Sequence, residues 1–332
     1  MNECTQNYGL IDLHLHLDGS LSIRTVRQLA GMQGMEVPEN DRDLLKLLQV
    51  SDDCRDLNEY LEKFSFPCSL LQTKEAIAKA VYNLQEELKA QGLLYAEIRF
   101  APQLHTLQGL TQTEVVEAAI DGLEASDFCA NLILCCMRGD ENRMENMETV
   151  RVAAQYLGKG VCAVDLAGAE ALYKTVDFEE LFCAAKEMGI PFTIHAGEAD
   201  GPESVWTALR FGTGRIGHGV RSLEDNTLVE RLRDTGIILE ICPTSNLNTN
   251  MFADIEHYPL PALMNSGIKV TVNTDNMTVS GVSLCNEWTK LISVFDLSLE
   301  QIRSLEENAV EASFASAEIK QWLSSQIASR FG

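Results

Sequence analysis

The feature that most constrains this chain is an alternation. A short apolar run is followed by a longer amphipathic one, eight times over. The runs are GLIDLHLHL (9–17), GLLYAEIRFAP (92–102), ANLILCCMR (130–138), GVCAVDLAG (160–168), IPFTIHAGE (190–198), GRIGHGV (214–220), GIILEICPTSN (236–246) and GIKVTVNTD (267–275). Strands that alternate with helices need crossover connections, and crossovers make parallel sheets. Eight such units predict an α/β chain folded as a (β/α)8 TIM barrel. The 332 residues, 45% of them hydrophobic, suffice for one such domain over 1–332.

Local signals mark the helices between the runs. Thr111-Gln-Thr-Glu114 reads as a capping box ahead of Val115, Val116, Ala119, Ile120 and Leu123 at helical spacing. Pro202 opens another helix, and Gly212 sits just past its apolar stripe. Phe178, Leu181, Phe182 and Ala185 mark a third, and Ser298 with Gln301 caps one near the end. Residues 22–91 break the rhythm. They read as wholly helical, an insertion after the first strand, expected as a partial lid over the C-terminal mouth of the barrel.

The formal net charge is −23, so the surface repels phosphate backbones and anionic lipids. Nucleic-acid and membrane partners are disfavoured; a neutral small molecule or a cation is accepted more easily. Apolar runs long enough to span a bilayer are missing, and MNECTQNYGLIDLH has no basic signal-peptide region, so a cytoplasmic protein is expected. The ten cysteines, Cys4 among them, form no C-x-x-C pair and read as free thiols.

His14 and His16 stand two apart in the first run. Residues i and i+2 of a strand point to one face, so both imidazoles can reach one ion, with Leu13, Leu15 and Leu17 behind them. His195 ends the fifth run, His218 the sixth and Asp275 the eighth, at the face where a barrel presents its active residues. Neutral imidazole and carboxylate suit Zn²⁺ and similar borderline metals. Glu198, three residues after His195, is a candidate general acid whose burial would raise its pKa. The remaining histidines, His105 and His257, lie in loop-like surroundings and read as surface residues.

The motifs DLHLHLDGS (12–20), DLAGAE (165–170), TIHAGE (193–198), RIGHGV (215–220), ICPTSN (241–246) and VNTDN (272–276) in this order resemble the adenosine deaminase family of the amidohydrolase superfamily, in its bacterial type. The resemblance covers essentially the whole chain. It implies one Zn²⁺ at the barrel mouth, held by His14, His16, His195 and Asp275, and hydrolytic deamination of adenosine or 2′-deoxyadenosine. It implies that Glu198 protonates purine N1, that His218 orients the attacking water and acts electrostatically or as a base, and that Asp275 holds that water in line. It further implies that His16, Asp18, Gly168 and Asn276 face the nucleoside. Some family members carry a second Asp where this chain has Asn276; a neutral amide can donate to N7 without first taking a proton. Ser245 and Asn246 are given no chemistry, only support of the mouth.

Two rivals stand beside this reading. One is a related mononuclear amidohydrolase acting on adenine, an N6-substituted purine or another modified nucleoside. The other is a non-catalytic binding protein on the same scaffold. The H-x-E with P-C-x-x-C pattern of nucleic-acid base deaminases is absent.

Overall fold

The computed structural model describes residues 9–331 apart from position 52. Each of the eight apolar runs contains one strand: β1 (Ile11–His16), β2 (Tyr95–Phe100), β3 (Ala130–Met137), β4 (Val161–Ala167), β5 (Thr193–Ala196), β6 (Arg215–His218), β7 (Ile238–Ile241) and β8 (Val270–Val272). Consecutive strands pair in parallel within β1–β4 and within β5–β8. Parallel bridges Val164↔Phe192 and Leu15↔Asp275 join the two halves into a closed barrel.

The strands alternate in an unusual sense. Leu13, Leu15 and Leu17 are buried in apolar clusters, whereas the alternate positions carry the polar groups. Glu97, Arg99, Asp165, Thr193, Arg215 and Glu240 are all buried and bonded to one another across the barrel. A polar interior of this kind stays folded only if its groups are paired.

The expected caps form. Thr111 and Glu114 make a reciprocal capping box on helix Gln112–Glu124, and Ser298 and Gln301 another on Leu299–Ala312. Helix Pro202–Phe211 starts at its proline and ends at Gly212 in the left-handed region. Residues 22–91 form the helices Ile23–Met32, Asp41–Leu48, Leu57–Leu61, Ser65–Leu70 and Lys74–Gln91. Lys74–Gln91 packs beside helix Gln112–Glu124. Leu57, Tyr60, Leu61 and Phe64, from the middle of the insertion, line the cavity at the barrel mouth.

His105 departs from expectation. It sits in a 3-10 turn, Pro102–His105, fully buried, and burial lowers its pKa to about 4. The turn folds inward against Phe100, with ring centroids 5.8 Å apart, so a loop-like sequence became core. His257 is exposed, as its sequence context predicts. Cys135, Cys136, Cys162 and Cys242 are buried free thiols, and Cys4 lies outside the described residues.

Candidate active site

The pleat of β1 sends His14 and His16 into the mouth of the barrel together. His14 Nδ1 lies 2.7 Å from Glu240 Oε2, so its proton sits there and Nε2 presents a lone pair. That Nε2 is buried without a hydrogen-bond partner, 3.5 Å from Asp275 Oδ1. His195 has the same construction: its Nδ1 is 2.9 Å from Asp165 Oδ2. His16 Nε2 stands 3.3 Å from His195 Nε2 and 3.4 Å from Asp275 Oδ1.

Asp275 is reached through the backbone. Its N–H donates to His14 O and its carbonyl accepts from His16 N–H, each at 2.7 Å, which seats it between the two histidines. The residue holds φ at 62°, and His218 at 60°, conformations that L-residues adopt at a cost. Ser245 Oγ donates to Asp275 Oδ2 at 2.5 Å, leaving Oδ1 to face the imidazoles.

These donors fit a divalent cation. His14, His195, His218 and Asp275 each offer an atom within 4.8 Å of the others, and His16 touches two members of that set. The charge beneath agrees. Three buried acidic side chains, Glu97, Asp165 and Glu240, pair with two guanidinium groups, Arg99 and Arg215, and a fourth, Asp275, stands among the imidazoles, so buried carboxyl groups outnumber guanidinium groups here. Against burial, the charges of His195 and Arg99 hold Asp165 well below the usual carboxylate range. Against burial, the nearby His14 imidazole does the same for Asp275. Burial and Arg99 press the His14 pKa down, but the neighbouring Asp275 and Glu240 carboxyl groups outweigh them and raise it. A dication at this point satisfies the orphaned lone pair and the charge excess together.

Glu198 follows β5 and is buried. Burial first, then the charges of Asp275 and Glu170, push its carboxyl well above the ordinary value, which favours its protonated form. Its Oε2 is 3.6 Å from His218 Nε2, and its Oε1 accepts from Asn246 Nδ2 at 3.4 Å. Tyr258 OH donates to Asn246 Oδ1 at 3.1 Å, which turns the amide nitrogen toward His218 Nδ1, also at 3.1 Å. An amide nitrogen only donates, so the ring proton of neutral His218 lies on Nε2. Burial holds His218 neutral, its pKa well below the usual value.

A cavity of about 290 Å³ opens over these groups. Its walls include Asp18, Gly168, Asn276 and the apolar Leu57, Leu61, Phe64 and Leu104. Burial raises the Asp18 pKa to about 6, and Cys68 Sγ donates to its carboxyl at 3.5 Å. A Cβ on Gly19 would stand 1.8 Å from Asn276 Oδ1, so the small residue lets Asn276 face the cavity. Every site residue expected from the sequence therefore lies at this mouth. The sequence reading missed Asp165, Glu240 and Arg99, which orient the histidines from behind, and the bonds made by Ser245 and Asn246. Their one signal was a charged residue alternating with apolar ones inside a strand.

The architecture and the motifs agree with known proteins. The family model described as Adenosine deaminase matches residues 10–330. An adenosine deaminase from Haemophilus ducreyi is 48% identical over 98% of this chain and 97% of its own length. Among solved structures, the adenine deaminase of Arthrobacter aurescens superposes with a TM-score of 0.88 at 28% identity, covering 97% of this chain and 98% of its own. An Arabidopsis N6-mAMP deaminase gives 0.87 at 26% identity, covering 99% of this chain and 100% of its own. A match over almost every residue from β1 to the last helix, joined to a mouth that gathers three histidines and an aspartate within reach of one ion, leaves one conclusion: the chain belongs to the adenosine deaminase family.

Proposed function

We propose that this chain, as one catalytic unit over 1–332, hydrolyses adenosine and 2′-deoxyadenosine to inosine and 2′-deoxyinosine with release of ammonia. We assign His14, His16, His195 and Asp275 as holders of a single Zn²⁺. The observation that carries the reading is a buried Glu198, its carboxyl pushed toward the protonated form, beside a cation-shaped set of donors. His218 is left out of the ligand set because its Nε2 carries the proton, whereas the Nδ1 atoms of His14 and His195 are occupied by carboxylates. When bound, Zn²⁺ supplies Lewis acidity that makes a water nucleophilic near neutral pH.

The chain's own groups do the rest. Glu198 delivers its proton to purine N1, which makes C6 electrophilic and spares the ring an anionic adduct. His218 Nε2–H donates to the attacking oxygen and fixes its direction. Asp275 accepts a proton from that water, since Ser245 occupies only its other oxygen. Asp18, His16, Gly168 and Asn276 hold the nucleoside, and the apolar helices above exclude water. The proton taken by Asp275 passes to the amino group, ammonia leaves, and the hydroxyl proton remaining at C6 returns to Glu198, so both carboxyl groups end as they began.

The walls favour a nucleoside over a nucleotide. Arg138 is the sole Lys or Arg among the lining residues, and its two Nη groups are engaged by Tyr173 O, Thr175 Oγ1 and His195 O at 2.6–3.0 Å. A phosphate would enter an acidic, apolar mouth without a cationic partner. A cytoplasmic setting is part of the proposal, supported by the buried free thiols and by the lack of any described helix long and apolar enough to cross a membrane. The test is ammonia release from adenosine, 2′-deoxyadenosine, adenine, AMP and N6-methyl-AMP by zinc-loaded protein. Both nucleosides are expected to turn over, with kcat/KM for either nucleotide at least about 100-fold lower. Inactivity on both nucleosides would refute the reading.

A further inference from the structure

Glu170 closes the DLAGAE motif, and the reaction set out above does not use it. It is 1% exposed, and both of its oxygens are saturated. Oε1 accepts from Gly197 N–H at 2.7 Å and Ser204 Oγ–H at 2.5 Å; Oε2 accepts from Glu198 N–H at 3.0 Å and Asp200 N–H at 2.9 Å. Four donors converge on one side chain, two on each of its carboxyl oxygens. The supply of donors is ordered from outside. Arg138 donates to Thr175 Oγ1, so the Thr175 hydroxyl donates to Ser204, and Ser204 in turn donates to Glu170. The same Arg138 Nη2 holds His195 O at 2.6 Å, so the clamp also grips the end of β5.

The clamped segment is the one that carries Glu198. Gly197 turns the chain there at φ +71°, and a Cβ at that position would meet Val205 at 2.6 Å. The Glu198 side chain has only long contacts of its own, 3.4 Å to Asn246 and 3.6 Å to His218. Contacts of that length do not fix a carboxyl; its place is set by the backbone beneath it.

We infer that Glu170 is the positioning residue for Glu198: through the N–H groups of Gly197, Glu198 and Asp200 it sets where the proton donor stands, without touching the substrate. The inference rests on the proposed role of Glu198 as that donor. Glu170→Gln offers one accepting oxygen and turns an amide NH₂ toward either the Gly197 N–H and Ser204 hydroxyl or the N–H groups of Glu198 and Asp200, so the loop must shift.

The experiment compares zinc-loaded wild type, Glu170→Gln, Glu198→Gln and the double variant, with adenosine as substrate. A displacement near 1 Å costs about 100-fold in rate, so kcat of Glu170→Gln is expected to fall about 100-fold. KM and bound zinc should change less than about threefold, because the ligands and the nucleoside contacts stay in place. In the Glu198→Gln background, adding Glu170→Gln should cost less than about threefold, since the positioned proton is already gone. Independently of turnover, hydrogen exchange at the Gly197, Glu198 and Asp200 amides should quicken by about tenfold or more, with β5 amides unchanged. Should Glu170→Gln fail to fold, Glu170→Asp keeps the charge on a shorter stem and should show a smaller loss that also vanishes beside Glu198→Gln. A kcat within threefold of wild type in the folded variant overturns the inference. So does an equal loss in both backgrounds, which would make Glu170 structural only. A wild-type protein inactive on adenosine would remove the functional reading, while the exchange measurement still decides whether Glu170 holds the loop.

Discussion

Asp165→Asn tests whether the buried carboxylates build the metal site. Asp165 Oδ2 receives His195 Nδ1–H at 2.9 Å and Arg99 Nη1–H at 2.8 Å, while Oδ1 receives Leu166 N–H at 2.7 Å. An Asn offers one oxygen to three donors and places its own NH₂ against the remainder. Arg99 keeps Glu240 Oε2 and Leu13 O, so the guanidinium is weakened rather than stranded. Breaking a buried charged pair costs about 3–5 kcal/mol. With about 2.1 cal/mol/K of unfolding entropy per residue, the 332 residues give about 0.7 kcal/mol per kelvin, so Tm should fall by about 4–7 °C.

The same change loosens His195, and loss of a partner behind a ligand lowers metal affinity by about 10–100-fold. At free zinc about 1,000 times the wild-type Kd, bound metal stabilises wild type by about 4.1 kcal/mol and the variant by only about 1.4–2.7 kcal/mol. The gap in Tm between metal-loaded and metal-free protein should therefore shrink from about 6 °C to about 2–4 °C. The assay is thermal unfolding with and without zinc, beside a competitive chelator titration of Kd. A Kd within twofold of wild type would refute the argument that Asp165 prepares His195 for a cation. An unchanged metal-free Tm would refute the energetic weight given to the Arg99 network.

Glu198→Gln should lower kcat by about 10²–10⁴-fold with bound zinc unchanged, because the amide cannot give up a proton; metal analysis beside steady-state kinetics checks both halves. Glu306 makes a pH prediction away from the mouth. Its Oε1 accepts both Gly9 N–H and Leu10 N–H beneath β1, and burial raises its pKa from 4.5 to about 7. Between those values the unfolded chain sheds a proton that the folded one retains, so this residue makes stability fall as pH rises from about 4.5 to about 7, by about 3 kcal/mol. Glu306→Gln keeps the accepting oxygen and should match wild type at pH 4 but exceed it by about that amount at pH 7 in urea unfolding; parallel profiles would contradict the assignment.

The legible parts of this protein are the local ones. Alternating runs announced eight strands, Thr111 and Ser298 announced their caps, and histidines at strand ends announced the mouth. Each signal is carried by residues a few positions apart, where helical and strand periods act directly. Asp165 within VCAVDLA looked like one polar residue in a core strand, because its partners Arg99 and His195 lie 66 and 30 residues away. The insertion read as one helical block; its contacts divide it, Lys74–Gln91 lying beside helix Gln112–Glu124 and residues 57–64 turned to the cavity. His105 looked like loop because nothing near it in sequence reveals that its turn folds under Phe100.

By itself, then, the sequence determined the alternation, the closed parallel barrel that follows from it, and the residue types delivered to the C-terminal ends of the strands. Only the tertiary structure decided the surroundings of those groups: which nitrogens of His14, His195 and His218 face a partner, that burial and neighbouring charge push the Glu198 carboxyl toward its protonated form, and that Glu170 grips the loop beneath it. Period and capping are set by neighbours along the chain. Tautomer, protonation and orientation are set by charge and burial, which exist only once distant strands have closed around one another.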